Sequence, residues 1–498
     1  MKNKWVSKMK ILLLSPPTDS VIKSVIGVTG PPLGLAYLAS IARNYGDEVR
    51  IIDSIAMDYT FEDVKGQIRK FDPDLIGMTA TTSMIPDAYK VAEIAKNHNE
   101  EVKIIIGGPH VTFTQEETLR ESPYIDFTVA GEGETIFSNL LLYFIGKKEI
   151  EDVKGISFRN SGKIVVTPPE QLIRDVDNIP LPALDLLPMD KYTAGTKRFG
   201  TLMTSRGCPY NCIFCSSSLQ FGKIWRGHST ERVMTELRRL VYEYGIHEIE
   251  FLDDTFTLNM KRAVEISNNI KAEKLDIKWS GSARVNLFND EIAKAMKDSG
   301  AHTIYFGIES GNQKTLDFIG KGIKLQQAID SVRKGNAAGL HTLGSFIIGF
   351  PYDTAEEVRN TIKFSKKVKV KIAQFTIATP YPGTRLWELA KSNNLIRTMD
   401  WKKYTTLNPV MNLKNFSDKK ILGWLGKAYA YFYLRPTYLL NDLLRDHGFI
   451  FKRIIPYYSK AMVAFRQRDI LSNQVQEAVV SVEGQQMNPD ILARGNDP

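Results

Sequence analysis

Cysteine is nearly absent from this chain: there are three in 498 residues, at positions 208, 212 and 215. An odd set confined to so short a stretch excludes a disulfide framework and reads as metal ligands or redox thiols. Histidine is scarce too, at seven, and the nearest one after the cysteines, His228, lies outside zinc-site spacing. No apolar run approaches the roughly 18 residues of a transmembrane helix. The basic N-terminus is followed only by the short apolar run Ile11 to Leu14, which reads as a first strand rather than a signal-peptide core. A cytoplasmic location is therefore expected. Neither GxGxxG nor GxxxxGK(S/T) occurs at the first turn, which weakens dinucleotide and nucleoside-triphosphate readings.

What is present is globular: 43% hydrophobic and 24% charged residues, enough apolar material for more than one core. Residues 8–150 alternate apolar strand candidates (10–15, 49–53, 75–79, 103–107 and 127–130) with helical patterns. Such β/α alternation predicts an α/β fold with a doubly wound, Rossmann-like parallel sheet whose ligand lies beyond the strands' carboxyl ends. Proline-rich residues 151–195 read as a linker with a small hairpin around Ile156–Val166. Six further β/α units in 196–400 predict a partial (β/α)6 barrel with function at its C-terminal strand ends. Residues 401–470 read as helical, and 471–498 as a polar tail expected to be disordered.

The formal charge of +9 is uneven. Between Asn415 and Arg468, ten Lys or Arg face three Asp among a dozen aromatic residues. That segment suits an anionic membrane surface, nucleic acid or an acidic apolar substrate, and equally a helical layer with solvated lysines outside. No recognisable nucleic-acid module accompanies it, so nucleic acid ranks low as a partner.

The chemistry concentrates in Ser205-Arg-Gly-Cys-Pro-Tyr-Asn-Cys-Ile-Phe-Cys-Ser216. A Cys-x3-Cys-x2-Cys loop can place thiolates on three corners of a cubane cluster and leave the fourth iron open. Zinc would be expected to bring a fourth ligand. This segment, with the aromatic Phe214 before the last cysteine, resembles the radical S-adenosylmethionine (SAM) superfamily, and the resemblance runs through 200–395. It implies a [4Fe–4S] cluster on Cys208, Cys212 and Cys215, with SAM on the open iron. By the same resemblance Phe214, Asp253, Ser282, Arg284, Glu309, Ile348 and Pro380 are expected around SAM, each in frame behind a strand. Arg284 is expected to pair with the methionine carboxylate, and Glu309 with the ammonium or ribose.

The N-terminal series resembles the cobalamin-binding domain that precedes many radical SAM domains. Pro31-Pro-Leu-Gly-Leu35, Gly107-Gly-Pro-His110 and Gly131-Glu-Gly-Glu134 carry the likeness. It implies cobalamin contacts from Ser15, Leu33, Gly34, Thr79, Thr81, Thr82, Gly107, Gly108, His110, Gly131, Glu132 and Gly133. No Asp-x-His-x-x-Gly follows the first strand, so no histidine is expected on cobalt. Tyr431-Phe-Tyr-Leu-Arg-Pro436 also resembles a segment common in this subgroup.

Taken together, the resemblance implies a cobalamin-dependent radical SAM methyltransferase. One SAM would methylate cob(I)alamin; a second would yield a 5′-deoxyadenosyl radical that activates a poorly reactive carbon. A large apolar or lipid-like substrate, an electron donor of the flavodoxin or ferredoxin type, and peripheral contact with the membrane's inner face complete the expectation. The alternatives are an oxidative ring-forming reaction, as in the anaerobic magnesium-protoporphyrin monomethyl ester cyclase, and a cobalamin-binding sensor or carrier.

Overall fold

Runs such as Ile11-Leu-Leu-Leu14 and Ile104-Ile-Ile106 lack polar alternation, so they need apolar cover on both faces, as in a parallel sheet between helices. The computed structural model describes residues 8–18 and 28–436, and there they have that cover. β1 (Lys10–Ser15), β2 (Glu48–Asp53), β3 (Leu75–Thr79), β4 (Lys103–Gly107) and β5 (Phe127–Val129) run parallel in the order β2-β1-β3-β4-β5. The strand order reverses between β1 and β3, so their carboxyl ends, at Ser15 and Thr79, form the topological switch point. Local sequence fixes the crossovers: the helix Phe61–Phe71 opens on a reciprocal Thr60–Asp63 capping box.

The expected hairpin forms as β6 (Ile156–Asn160) and β7 (Lys163–Val166), but it is part of the first sheet. β6 pairs antiparallel with β5, Phe127 opposite Phe158, and extends that sheet to seven strands. The rest of the proline-rich stretch is laced to the body. Arg232 donates to the carbonyls of Ile179 and Pro180, and Arg239 to that of Pro182.

The second sheet begins with β8 (Thr193–Ala194), antiparallel to β9 (Lys197–Leu202). β12 (Glu248–Phe251), β13 (Lys278–Ala283), β14 (Ala301–Glu309), β15 (His341–Ile348) and β16 (Ile372–Ile377) follow β9 in parallel. The six parallel strands form an open sheet whose two ends, β16 and β8, do not pair. The short rungs β10 (Ser205–Arg206) and β11 (Arg226–Gly227) stand apart as a two-stranded ladder. The C-terminal region enters the described residues as a turn at Trp401–Lys403 and a helix, Asp418–Tyr433. Expectations for 437–470 and for the tail 471–498 lie outside the described residues.

Under the second sheet Trp279 is fully buried, stacked on Phe251 at 4.7 Å and edge-on to Phe256 at 5.4 Å. Its indole N–H donates to Ser299 O at 3.1 Å, so shape and polarity are both satisfied. Trp279→Ala is expected to cost about 3–5 kcal/mol, read as a lowered midpoint in chemical denaturation.

Candidate active site at the facing strand ends

β10 and β11 pair Arg206 with Arg226, so residues 207–225 leave and return as one loop carrying all three cysteines. Gly207 sits at φ +85°, where a Cβ would fall 2.3 Å from Ile224 O, so the loop needs glycine here. Inside it, Cys208 N donates to Gly222 O at 3.2 Å and Cys215 N to Cys212 O at 3.2 Å. The three cysteines are unpaired and partly accessible, with Cys212 Sγ 3.9 Å from Gly320 O. Burial pushes the Cys208 and Cys215 thiols above their ordinary range, opposed by hydrogen bonds from Tyr210 and Ser217. Thiols held protonated in this way ionise when a metal takes them. Among the described residues no three His, Cys, Asp or Glu gather on a single-ion site. Thiolates that each take a different iron of a cubane have no need to converge on one ion. Three free, partly accessible thiols on one short loop are a donor set that fits a cluster.

The residues expected around SAM divide into two groups. Asp253 is buried, and its carboxylate accepts from Thr204 N, Thr204 Oγ1 and Ser205 Oγ, each at 2.6 Å. It shapes the turn leading into the cysteine loop and has no face toward a ligand. Ser282 is similarly spent, donating to Asp253 O at 2.6 Å. The next residue, Asp254, is the one that opens outward. It is exposed to solvent, and burial by neighbouring groups raises its carboxyl pKa against a hydrogen bond with Ser217. Its charge is felt at Cys208 and Cys215. Strand parity explains the exchange: Ile249, Phe251 and Asp253 face the helical layer, while Glu250, Leu252 and Asp254 share the other face.

Arg284 is buried and lies over the Tyr210 ring at 3.4 Å, with Nε 3.3 Å from Asn286 Oδ1 and Nη2 on Lys321 O. It braces the cysteine loop. Glu309 adopts φ +67°, a strained backbone for a side chain of this size. Its carboxylate meets Lys321 Nζ at 2.7 Å and Ser345 Oγ at 3.2 Å. A Cβ at Gly307 would fall 2.4 Å from Glu309 Oε1, so glycine there makes room for this pair. Phe214 packs 6.2 Å from Phe350, and Ile348 and Pro380 are buried behind the strand ends. Sequence reasoning did not single out Lys321 or Tyr210.

At the first sheet, Ser15 and Thr79 end the strands of the switch point, with Thr79 paired to Gly107 on β4. Gly108 sits at φ +102°, and a Cβ there would strike Thr79 Oγ1 at 2.8 Å and Ala80 O at 2.9 Å. Gly34 and Thr81 are exposed, and nothing lies within 4 Å of a Cβ built on Gly34, whereas Leu33 behind it is buried. Gly131 takes φ +81°, and Gly133 opens the helix Gly133–Phe144. The open, small-residue rim at these strand ends fits a large polar-edged ligand.

His110 differs from expectation. It is 1% exposed, with Nδ1 3.3 Å from Thr82 Oγ1 and its ring edge-on to Trp401 at 4.8 Å. It is a packed residue at the seam between the two sheets, and Thr82 is buried with it. Phe113 and Gly383 close the same seam: a Cβ on Gly383 would lie 2.2 Å from the Phe113 ring. Glu132 also departs from expectation. Its Oε1 is 3.1 Å from Arg206 Nη1 and its Oε2 2.8 Å from Arg226 Nη1, while Ile173 N donates to Oε2 at 2.9 Å. Both carboxyl oxygens are therefore taken. The carboxyl ends of the two sheets thus meet at two places, around Glu132 and around His110.

Comparison with known proteins agrees with this arrangement. Residues 20–141 match the B12 binding domain, and residues 202–365 match the radical SAM superfamily. An uncharacterized methyltransferase of Pyrococcus horikoshii is 61% identical over 90% of this chain and 97% of its own length. The chain belongs to the B12-binding radical SAM enzymes. The anaerobic magnesium-protoporphyrin IX monomethyl ester cyclase of Rubrivivax gelatinosus is 27% identical over 88% of this chain and 80% of its own. Among solved structures, the radical SAM methyltransferase TsrM of Kitasatospora setae, with cobalamin and a [4Fe–4S] cluster bound, superposes with a TM-score of 0.70. That match covers 86% of this chain and 90% of TsrM at 15% identity, so it establishes a shared fold. As in the wider family, the hard chemistry of this radical SAM enzyme belongs to its cofactors.

Burial lowers the pKa of both His110 and His228 to about 4. A histidine whose folded pKa lies below its unfolded value destabilises the fold as pH falls, because the unfolded chain takes up a proton that the folded chain refuses. The loss starts near pH 6.5 and is complete near pH 4, roughly 3 kcal/mol for a full shift of this size. His110→Gln is expected to flatten the acid limb of unfolding free energy against pH by about one proton. An unchanged slope would assign the acid sensitivity elsewhere.

Proposed function

We propose that this protein is a cobalamin-dependent radical SAM methyltransferase that modifies an unactivated carbon of a large apolar substrate. The observation that carries the reading is the juxtaposition of the cysteine loop with the carboxyl ends of the B12-binding domain's strands. The Pyrococcus relative, described as a methyltransferase and alike along nearly its whole length, favours methylation. The cyclase relative, at 27% identity, keeps ring formation as the second reading.

When bound, a [4Fe–4S] cluster with SAM supplies one-electron cleavage of SAM, and cobalamin supplies a methyl carrier. Cys208, Cys212 and Cys215 would hold three irons and leave the fourth to SAM. Asp254, the outward carboxylate nearest the cysteines, is suited to SAM's ammonium. Lys321 and Glu309, joined at 2.7 Å, present a fixed dipole at the end of β14 that can orient the methionine or ribose groups. Arg284, through Tyr210, would brace the loop that holds the cluster. The rim of Gly34, Thr79, Thr81, Gly107 and Gly108 would receive cobalamin without a histidine on cobalt. The seam of Phe113, Gly383 and Trp401 would help keep water from that side, which would protect a radical from quenching.

An external low-potential donor of the flavodoxin or ferredoxin type would reduce the cluster. No helix of the described residues is long and apolar enough to cross a membrane. Peripheral contact through the basic, aromatic C-terminal region would bring a lipid-like substrate within reach.

Reconstituted protein given SAM and a strong reductant is expected to release 5′-deoxyadenosine. Serine at position 208, 212 or 215 is expected to abolish that release together with iron binding. No deoxyadenosine from the unaltered chain would defeat the reading. SAM labelled in its methyl group separates methylation, in which label enters product, from cyclisation, in which it does not.

A further inference from the structure

Gly131-Glu-Gly-Glu134 stands out in the sequence, yet its acidic side chains face no open rim. Instead Glu132 spans Arg206 and Arg226, and Glu134 takes the second arm of Arg206. Side-chain exposure is 3% for Glu132, 10% for Glu134, 4% for Arg206 and 6% for Arg226. Nε of each arginine is buried without a hydrogen-bond partner, but the guanidinium groups make further contacts. Arg226 donates to Ile173 O and Phe221 O, both at 2.6 Å, and Arg206 lies between the Tyr37 and Phe221 rings, 5.8 Å from each. Water does not screen these charges, so the network is stiff.

Its place in the chain gives it a role beyond cohesion. Arg206 and Arg226 are opposite rungs of the ladder from which the cysteine loop hangs, and Arg206 is separated from Cys208 only by Gly207. One carboxylate of the B12-binding domain therefore grips both ends of that loop. We propose that Glu132 is a positioning residue: it sets where the three cysteines stand relative to the B12-binding domain's strand ends. This rests on the functional reading above, because two cofactors that must cooperate need a fixed separation.

The test uses the full-length chain and the variants Glu132→Gln and Arg226→Lys. In metal-free protein, amide hydrogen exchange across 205–227 is expected to rise about ten-fold in Glu132→Gln, with the helix Ala355–Lys367 unchanged. Arg226→Lys keeps the charge, loses the fork, and is expected to fall between the two. In reconstituted protein with SAM and reductant, the ratio of S-adenosylhomocysteine to 5′-deoxyadenosine is expected to drop about five-fold, since a 1 Å misplacement already costs much rate. Exchange raised equally throughout the chain would make the network a stability element only and overturn the proposal. So would wild-type exchange with a wild-type ratio. If Glu132→Gln does not fold, Arg226→Lys carries the same outcomes. Absence of 5′-deoxyadenosine from the unaltered chain would sink the functional reading instead, and the exchange measurement would still judge the clamp.

Discussion

Glu132 and Glu134, just beyond β5 of the first sheet, meet Arg206 and Arg226 of the two-stranded ladder that carries the cysteine loop, where almost no water reaches them. Four charged groups without water depend on one another, since an orphaned buried charge costs about 3–5 kcal/mol. That demand fixes how the two parallel sheets face each other. Each sheet alone is a common architecture with a vacant rim at its carboxyl ends. Their carboxyl ends come together around Glu132 and around His110.

The cysteine loop inherits its rigidity from the same source. Its ends are tied by the arginines, its first turn is forced by Gly207, and its Tyr210 is held under Arg284. Backbone strain at Glu309 sits close by, tolerated because Lys321 and Ser345 hold the carboxylate. Strain and buried charge thus gather around the loop that carries the three cysteines.

Several side chains read as ligand contacts have structural work instead. Asp253 builds a turn, Arg284 braces a ring, His110 fills a seam and Glu132 joins two domains. These positions were flagged for their place at strand ends, which leaves open what each side chain faces. A charged residue at a strand end can face the rim or the neighbouring layer, and only alternation along the strand decides. For β12 the sequence Glu-Ile-Glu-Phe-Leu-Asp-Asp already holds that alternation, and it points to Asp254.

Local chemistry determined much of this protein. Continuous aliphatic runs dictate buried parallel strands, and the cysteine spacing dictates a three-thiolate loop, because both depend on neighbours within a few residues. The hairpin at 156–166 was legible as a hairpin, but its docking on β5 was not. Partners far apart in sequence belong to the tertiary structure alone: Glu132 meets Arg226 across 94 positions, and Trp401 meets Glu121 across 280. No periodicity encodes such pairs, since they arise only when elements far apart in the chain bury their charges and rings against each other.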